Sequence, residues 1–463
     1  MHTAKSVAII LAAGQGKRMR SARPKVLHEL LERSMIAWVV DATRSSGVDE
    51  IIVVVGHGRD EVEAELRRLY GEHVRTAVQQ KQLGTGDAVR AALPLIGDET
   101  DRALIINGDC PLIEAEALRS LLEIRAELAL LTSTIDNPHG YGRILRDASG
   151  RVVGIREEKD CSESERAISE VNPGVYLASI PFLRRAIAAL SNENAQGEYY
   201  LTDIVGMAEG GAASLSHPID RLLGVNDPLE LSRAETVLLR ERRERLMREG
   251  VKMRLPETVF VSAECEVEGG AELGANVELR GRTIVRSGAK IDSGSILLDV
   301  EVLADAYIKP YTVAEKSVIG ERAEIGPFSH LRPETEIGEG GKIGNFCETK
   351  KTLLGKGSKV NHLSYVGDGE IGEGVNIGAG TIFCNYDGAR KQTTVIGDGA
   401  FIGSDSQLVA PVRVGKGAYV ASGTTVTRDV PDDALAIARA KQENREGFAA
   451  RLRRRNDSAK NSP

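Results

Sequence analysis

The sequence has few aromatic residues, which make up 4% of its 463 positions and include one tryptophan. It contains no apolar run approaching the roughly 18 residues that cross a membrane. The chain enters an apolar segment at Val7 without the basic region of a secretory signal. We therefore expect a cytoplasmic protein without membrane insertion, packed mainly from small aliphatic side chains.

Paired cysteines and strong charge of one sign are also missing. The formal net charge of −7 argues against general nucleic-acid binding. An exception is the end of the chain, where residues 439–463 hold eight Lys or Arg against three Asp or Glu. That composition is typical of a solvated end or of a segment that reaches an anionic ligand. Five widely spaced cysteines form no CxxC pair, so neither a disulfide framework nor a zinc site is predicted and a reducing compartment is indicated: Cys110, Cys161, Cys265, Cys347 and Cys384.

Aliphatic residues recur at every sixth position through much of the second half. Neither a helix nor a flat sheet has this period, and a β-sandwich would alternate at period two. A hexapeptide repeat is typical of a parallel β-helix, in which each unit forms one short face of a triangular coil. We predict such a β-helix over residues 251–437, and 28 of the 49 glycines follow residue 250. The period runs through Val267, Leu273, Leu279, Val285, Ile291, Leu297, Ile319, Ile325, Leu331, Ile337, Ile343, Ile396, Ile402, Leu408, Val414, Val420 and Val426.

Apolar strands alternate with amphipathic helices up to about residue 130, which predicts an α/β fold with a doubly wound parallel sheet. Ligands of such sheets bind outside the carboxyl ends of the strands. The predicted strands are Val7–Leu11, Ile51–Val55, Val74–Val78 and Ala103–Ile106. The predicted helices are Met35–Arg44, Asp60–Leu69, Thr85–Ala92 and Glu114–Ile124.

The segment LAAGQGKRM directly follows the first strand and is completed by PKVL at residues 24–27. Small residues at such a position let backbone N–H groups approach a polyphosphate. Arg18 and Lys25 can neutralise the charge that builds up as a phosphoryl bond breaks. An isolated Gly-x-Gly is more often a plain turn, and the segment has neither a P-loop nor the third glycine of a dinucleotide fingerprint.

A second motif, IINGDCPL, places Asp109 just past another buried strand. A carboxylate there is suited to hold Mg²⁺, a hard cation that prefers carboxylate and phosphate oxygens. The alternative is that Asp109 caps the helix that starts near Ile113.

LAAGQGKRM followed by PKVLH resembles the signature of sugar-phosphate nucleotidyltransferases. With the hexapeptide array, residues from Val7 to about Phe448 closely resemble the family of bifunctional N-acetylglucosamine-1-phosphate uridyltransferases and glucosamine-1-phosphate acetyltransferases. Between Asp227 and Gly250 the sequence is charged and rich in helix formers. We expect a Rossmann-like nucleotidyltransferase domain (1–227), a helical linker (228–250), a left-handed β-helix acetyltransferase domain (251–437) and a basic tail (438–463).

The resemblance implies the residues of a uridylyl-transfer site. Asp109 would share Mg²⁺ with Asn226, and Arg18 and Lys25 would be catalytic. The residues implied for binding UTP or UDP-N-acetylglucosamine are Leu11, Ala12, Ala13, Gly14, Lys25, Gln79, Gly84, Thr85, Asn107, Gly108, Asp109, Gly142, Glu157, Asn172 and Asn226.

Two departures from the hexad, at residues 348–352 and 383–394, flank the segment Asn361–Tyr365, and insertions in repeat arrays often carry binding functions. The resemblance implies that His362 is a general base, and an imidazole accepts protons near neutral pH. The residues implied for glucosamine-1-phosphate are Arg332, Lys350, Tyr365, Asn376 and Lys391. Those implied for acetyl-CoA are Ala379, Asn385, Tyr386, Ser404, Ser422 and Arg439.

The resemblance therefore implies a cytoplasmic homotrimer with two activities. One acetylates the amine of glucosamine-1-phosphate with acetyl-CoA, and the other couples the product, N-acetylglucosamine-1-phosphate, to UTP. One rival is a nucleotidyltransferase for another base or sugar, with a β-helix that serves only oligomerisation or regulation. It leaves His362 and the loop 383–394 without a role. A second rival is a sugar-nucleotide sensor, against which Arg18, Lys25 and Asp109 count.

Overall fold

The computed structural model describes residues 4–194 and 196–460, and the chain divides after Arg242 into two compact units. The main sheet of the first unit contains β1 (Ser6–Ala12), β2 (Glu50–Val55), β3 (Val74–Val78), β4 (Arg102–Asn107), β5 (Leu128–Thr134), β6 (Gly142–Arg146), β7 (Val152–Arg156), β8 (Glu170–Asn172), β9 (Tyr176–Ser179) and β10 (Ala213–Ser216), and Glu29–Leu30 pairs separately with Arg33–Ser34. Its longer helices are α1 (Met35–Ser45), α2 (Arg59–Tyr70), α3 (Thr85–Ala92), α4 (Ala115–Glu123) and α5 (Ile180–Ala189), and α6 (Pro228–Arg248) continues past Arg242; Glu163–Arg166 forms one further short helix. All eight segments predicted before residue 130 are confirmed within a residue or two.

The sheet of this unit has the order β3-β2-β1-β4-β9-β5-β8-β6-β7, with β10 beside β5. Strands β3, β2, β1 and β4 are parallel, as predicted. Beyond β4 the sheet is mixed, because β9 runs antiparallel to both β4 and β5. The carboxyl ends of the four parallel strands therefore meet along one edge, where both sequence motifs begin.

Side chains of β1 alternate between the two sides of the sheet. Val7 and Ile9 pack with helices α3 and α5, whereas Ala8 and Ile10 pack with α1, α2 and α4. Because both faces are covered, all four side chains have no exposed surface. A strand buried on both faces reads as a continuous apolar run, which explains why the sequence signal was strong here.

The second unit is a parallel β-helix, as the hexapeptide period predicted. One sheet contains Lys252–Met253, Glu272–Leu273, Lys290–Ile291, Tyr307–Ile308, Glu324–Ile325, Lys342–Asn345, Lys359–His362, Asn376–Ile377, Phe401–Ile402, Tyr419–Val420 and Leu435–Ala436. The other contains Phe260–Val261, Glu266–Val267, Glu278–Arg280, Ile284–Val285, Ile296–Leu298, Glu301–Val302, Val313–Glu315, Ser317–Ile319, His330–Leu331, Thr335–Ile337, Glu348–Leu354, Tyr365–Ile371, Ile382–Cys384, Thr394–Ile396, Gln407–Val409, Val412–Val414 and Thr425–Val426.

The residues of the six-residue period form the core of this β-helix. Ile319, Ile325 and Leu331 have no exposed surface and belong to one continuous hydrophobic cluster. Small residues four positions after an aliphatic one, such as Ala323 and Ser406, are buried as well. Since a small side chain fits the tight turn between faces, the pattern that identified the repeat also sets its packing.

The two departures from the hexad have different structures. Residues 348–352 remain within the strand Glu348–Leu354, and Lys351 turns the corner of the coil with a positive φ of 47°. The loop 383–394 starts and ends inside strands of the coil, with Phe383 buried in the core, and residues 385–393 form the true insertion. Its base is closed by the hydrogen bond from the N–H of Gln392 to the carbonyl of Asn385, at 2.7 Å. The last described element is helix α7 (Phe448–Lys460), and no helix among the described residues has the length and apolarity of a membrane span.

Candidate functional sites

A cavity of about 470 Å³ opens at the carboxyl edge of β1, β3 and β4. It is adjoined by a second cavity of about 400 Å³, and the two share residues of both motifs. The predicted residues that line the first cavity are Leu11, Ala12, Ala13, Gly14, Arg18, Lys25, Gln79, Gly84, Thr85, Asn107, Asp109 and Asn226. Those that line the second are Leu11, Arg18, Thr85, Asn107, Asp109, Gly142, Glu157, Asn172 and Asn226.

The loop after β1 is folded tightly against Lys25. Gly16 has a left-handed φ of 59°, and a Cβ atom there would lie 2.5 Å from the Cβ of Lys25. Glycine is therefore needed for two reasons, its backbone conformation and the close approach of a side chain. Gly108 plays a similar packing role, since its N–H donates to the carbonyl of Leu11 at 2.8 Å.

Lys25 connects the two motifs electrostatically. Its ammonium group donates to the carboxylate of Asp109 and, at 2.8 Å, to Oδ1 of Asn226. Two oxygen atoms from distant parts of the sequence thus converge on one positive charge. No cluster of three or more His, Cys, Asp or Glu with the arrangement of a metal site occurs within residues 4–194 and 196–460.

Asn226 is held by the start of helix α6. Its N–H donates to the carboxylate of Glu230 at 2.7 Å, while the N–H of Glu230 donates to Asp227 at 2.9 Å. Asp227 is therefore the N-cap of this helix. The cap fixes Asn226 at the mouth of the cavity, and the sequence NDPLE was its available signal.

Gln79 is 5% exposed, and its amide orientation is fixed. Its NH₂ group donates to the carbonyl of Gly84 at 3.1 Å and to the carboxylate of Asp87 at 3.0 Å. Because a carbonyl and an ionised carboxylate only accept hydrogen bonds, the amide oxygen of Gln79 is the end left for a ligand. An acceptor in this place suits the imide N–H of a uracil ring.

The second cavity contains a carboxyl group whose pKa is raised. Burial raises the pKa of Glu157, and the hydroxyl of Thr202, which donates to it at 3.0 Å, acts in the opposite direction. Asn172 donates to the hydroxyl of Tyr176 at 2.6 Å. These groups offer both acceptors and donors, which suits the hydroxyl and acetamide groups of a sugar.

In the second unit, His362 ends the strand Lys359–His362 and is exposed. Its Nδ1–H donates to Oδ1 of Asn345 at 3.0 Å, in the neighbouring coil. Since an amide oxygen only accepts, a neutral imidazole that donates to it from Nδ1 keeps its lone pair on Nε2. This is the tautomer of a side chain that can accept a proton at its outer nitrogen.

The predicted acetyl-CoA residues continue the column that His362 begins. Ala379, Ser404 and Ser422 occupy the equivalent position in successive coils, linked by backbone hydrogen bonds at the adjoining residues. Adjacent strands lie about 4.8 Å apart, so the column from His362 to Ser422 spans roughly 14 Å. Arg439 donates to the carbonyl of Ser422 at 2.6 Å. A long, thin ligand would fit along such a column.

Two predicted cations, Arg332 and Lys350, lie on the coil face that follows the corner at His362, and a third, Lys391, reaches them from the inserted loop. We call this the cationic face. Lys391 and then Arg332 lower the pKa of Lys350 by charge repulsion. Arg332 also forms an ion pair with Glu348 at 2.8 Å. Cations held this close together favour a dianionic ligand such as a phosphate group.

Other predicted residues of this unit are divided between two faces. Tyr365 lies opposite Glu348 on the cationic face, and its hydroxyl is 3.5 Å from the amide of Asn385. Tyr386 and Lys391 pair with each other across the inserted loop. Asn376, in contrast, lies on the face that precedes the His362 corner.

Sequence reasoning missed several residues that hold the predicted ones in place: Asp87, Thr202, Glu230, Asn345 and Asp368. Each contacts a predicted residue from elsewhere in the fold or from a neighbouring turn. Apart from the helix cap at Asp227 to Glu230, no local pattern marks them.

Comparison with known proteins agrees with both halves of the structure. Residues 8–196 match the model of the MobA-like NTP transferase domain family, and residues 316–351 and 393–428 match that of bacterial transferase hexapeptide repeats. A bifunctional protein GlmU from Sorangium cellulosum (strain So ce56) is 57% identical, with 98% of each chain covered. Proteins of the same name from Anaeromyxobacter sp. (strain Fw109-5) and Trichlorobacter lovleyi are 48% and 44% identical, covering 96% and 97% of this chain and 92% and 99% of their own.

Proposed function

The chain belongs to the family of bifunctional GlmU proteins, and we propose that it catalyses acetyl transfer to glucosamine-1-phosphate and then uridylyl transfer to the acetylated product. The observation that carries this conclusion is that two separate clusters of functional side chains, one in each unit, match the two chemistries. The product would be UDP-N-acetylglucosamine, a precursor for bacterial cell-wall synthesis. UTP and acetyl-CoA are cytoplasmic metabolites, and we assign the protein to the cytoplasm on that ground.

Uridylyl transfer is assigned to the two adjoining cavities of the first unit. An oxygen of the sugar phosphate attacks the α-phosphorus of UTP in line, a new P–O bond forms, and the bond to the β-phosphate breaks to release pyrophosphate. The loop Leu11–Gly14 offers backbone N–H groups to the phosphates, while Arg18 and Lys25 stabilise the charge of the departing pyrophosphate. Gln79 would read the uracil, and Glu157 and Asn172 would orient the sugar.

The side-chain oxygen atoms around Lys25 fit a magnesium ion. Asp109 and Asn226 present oxygen atoms that already converge on one positive group, and Mg²⁺ commonly binds through one or two protein oxygens together with substrate phosphates. Bound there, Mg²⁺ would supply charge neutralisation to the triphosphate. Lys25, which contacts both oxygen atoms, would add its own positive charge beside the phosphates.

Acetyl transfer is assigned to the cationic face and the His362 corner. The amine of glucosamine-1-phosphate attacks the thioester carbon of acetyl-CoA, so that a C–N bond forms, the C–S bond breaks and coenzyme A leaves as the thiolate. Nε2 of His362 accepts the proton that the amine sheds. Arg332, Lys350 and Lys391 would bind the phosphate, with Tyr365 beside them, and the column Ala379, Ser404 and Ser422 would bind acetyl-CoA.

We also propose that the protein is a homotrimer. Asn376 and the Arg332 group lie on different faces of the coil, which supports a sugar-phosphate site shared between subunits. Next to the His362 column, the rings of Tyr311, Phe328 and Phe346 stack at 5.4 and 5.6 Å and remain about half exposed. Such a row of exposed aromatic rings suits contact with another subunit. Sedimentation equilibrium tests this proposal, and an active monomer would refute it.

An omission experiment tests the two activities together. Purified protein is mixed with glucosamine-1-phosphate, acetyl-CoA, UTP and MgCl₂, and each component is left out in turn. We expect free coenzyme A thiol whenever the first two are present, and UDP-N-acetylglucosamine with pyrophosphate only when all four are present. Nucleotide sugar without thiol release, obtained from supplied N-acetylglucosamine-1-phosphate, would favour a nucleotidyltransferase with a structural β-helix.

A further inference from the structure

Asp368 is an exception in its column of the β-helix. It turns a corner of the coil with a left-handed φ of 48°, as Lys351 and Glu334 do one and two coils earlier, with φ of 47° and 64°. Those two residues are exposed, whereas Asp368 is 7% exposed. The corner therefore accepts charged residues in water, and the burial of Asp368 needs a separate explanation.

The burial comes from the inserted loop 383–394, which starts above this corner. Burying a carboxylate is costly unless hydrogen bonds or opposite charges compensate for the lost water. Asp368 has both, because Asn385 donates to it at 2.6 Å and the ammonium of Lys351 lies 3.8 Å away. A residue that only had to turn the corner would need neither partner.

The contact fixes which way the amide of Asn385 points. A carboxylate only accepts hydrogen bonds, so the NH₂ group of Asn385 must face Asp368 and its oxygen must face the other way. The same NH₂ lies 3.5 Å from the hydroxyl of Tyr365. No hydrogen bond to this amide oxygen is present among the described parts of the chain. Asp368 thus orients the amide so that its oxygen is the end left to accept a hydrogen bond from a ligand.

Asn385 is also the base of the loop. Its carbonyl accepts from the N–H of Gln392 at 2.7 Å, and the strand-like pair Tyr386 and Lys391 follows directly. Lys391 in turn lies beside Lys350, whose pKa it lowers, while the negative charge of Asp368 acts in the opposite direction. One carboxylate therefore anchors the loop and offsets repulsion among the cations that the loop completes.

We propose that Asp368 is a positioning residue of the acetyl-transfer site, which acts through Asn385 to aim an amide oxygen and the loop 383–394 at the bound glucosamine phosphate. The inference rests on the acetyltransferase function proposed above, and it adds a residue that does not touch the substrate. Its effect should fall on the binding and orientation of glucosamine-1-phosphate. The resemblance implies a role for Asn385 in binding acetyl-CoA, but its contacts with Asp368 and Tyr365 put its side chain beside the predicted sugar-phosphate residues. The KM for acetyl-CoA, which we assign to the His362 column, should therefore change much less.

The test compares Asp368→Ala and Asp368→Asn with the wild type, with Glu334→Ala as a matched control at an exposed corner carboxylate. The KM for each substrate and kcat are measured separately for acetyl transfer. We expect Asp368→Ala to lower kcat/KM for glucosamine-1-phosphate about 10- to 100-fold with a raised KM, because a buried donor loses its partner. Asp368→Asn keeps an acceptor and should lose less. Glu334→Ala should match the wild type.

A double-mutant cycle separates positioning from general destabilisation. In the Asn385→Ala background, adding Asp368→Ala should change kcat/KM less than about twofold, since residues that act as one unit are not additive. A purely structural role would lower the fraction of active enzyme and therefore kcat, with both KM values unchanged. Thermal unfolding and uridylyl transfer are followed for every variant as controls of folding.

The outcomes are distinguishable. If the wild-type protein shows no acetyl transfer, both the proposed function and the role of Asp368 are overturned. If the wild type is active, two results overturn only the role of Asp368. One is an unchanged KM for each substrate in Asp368→Ala. The other is a double variant, Asp368→Ala with Asn385→Ala, whose loss of kcat/KM equals the product of the two single losses. If Asp368→Ala does not fold, Asn385→Ala decides the matter, because a KM for glucosamine-1-phosphate equal to that of the wild type in that variant contradicts the proposal.

Discussion

The Nδ1–H of His362 donates to Oδ1 of Asn345 at 3.0 Å, and the two residues occupy equivalent positions in successive coils. The contact selects the tautomer that exposes a proton-accepting Nε2. We predict that Asn345→Ala lowers kcat for acetyl transfer about 10- to 100-fold, by analogy with other partners that hold a functional histidine. Asn345→Asp keeps an acceptor and should retain most of the activity. Steady-state kinetics check this, and a fully active Asn345→Ala would show that the orientation of His362 has another source.

Asp87 should govern how Gln79 recognises the base. In Asp87→Ala the NH₂ group of Gln79 loses its charged acceptor and is held only by the carbonyl of Gly84. The amide then turns more readily to present its other end to the ligand. We expect the KM for UTP to rise about 5- to 50-fold, because buried polar groups without a partner cost free energy, and the preference for UTP over CTP to fall. Competition between the two nucleotides measures the preference, and Asp60→Ala on the exposed start of helix α2 is the control. An unchanged preference would remove Gln79 from base recognition.

The lowered pKa of Lys350 leads us to predict that the KM for glucosamine-1-phosphate depends on pH. The pKa of this lysine is lowered by Lys391 and Arg332, so it loses its proton at a lower pH than an ordinary lysine. The KM for glucosamine-1-phosphate should therefore rise as the pH increases into the alkaline range, while the KM for acetyl-CoA stays flatter. In Lys350→Arg the guanidinium keeps its charge, and the rise should move to higher pH. Coincident pH profiles for wild type and Lys350→Arg would contradict this.

Two neighbouring residues of one β-helix strand should contribute differently to stability. Ile319 has no exposed surface, whereas its neighbour Val318 points outward and is 37% exposed. We expect Ile319→Ala to lower the free energy of unfolding by about 2–5 kcal/mol through a cavity in the axis of the coil. Val318→Ala should change it by less than about 1 kcal/mol. Urea unfolding followed by circular dichroism gives both values, and equal effects would mean that the period does not define the core.

The fold was predictable because each half repeats a strong local signal. Buried parallel strands such as β1 appear as short apolar runs, and the β-helix has an aliphatic core residue at every sixth position, as at Ile319 and Ile325. The mixed part of the sheet after β4 was not predictable in the same way. In this part, strands β5 and β9 pair with each other although they are far apart in sequence, and no local pattern sets their pairing.

The candidate sites were predictable only for residues that lie in motifs. Gly14, Lys25 and Asp109 stand in recognisable segments, and the structure brings the last two into contact. Asp87 and Asp368 instead act through one hydrogen bond each, made possible by a neighbouring turn or an inserted loop. A charged residue in a loop is most often solvated, so three-dimensional contacts were needed to reveal that these two orient an amide.

If one chain carries two independent active sites, a substitution in either site should remove one activity and leave the other. Asp109→Ala and His362→Ala are each assayed for uridylyl transfer from UTP to N-acetylglucosamine-1-phosphate and for acetyl transfer to glucosamine-1-phosphate. We predict that Asp109→Ala loses uridylyl transfer by at least about 100-fold and keeps acetyl transfer near the wild-type rate, and that His362→Ala does the reverse. Near-normal uridylyl transfer in Asp109→Ala, near-normal acetyl transfer in His362→Ala, or loss of both activities in either folded variant would contradict it.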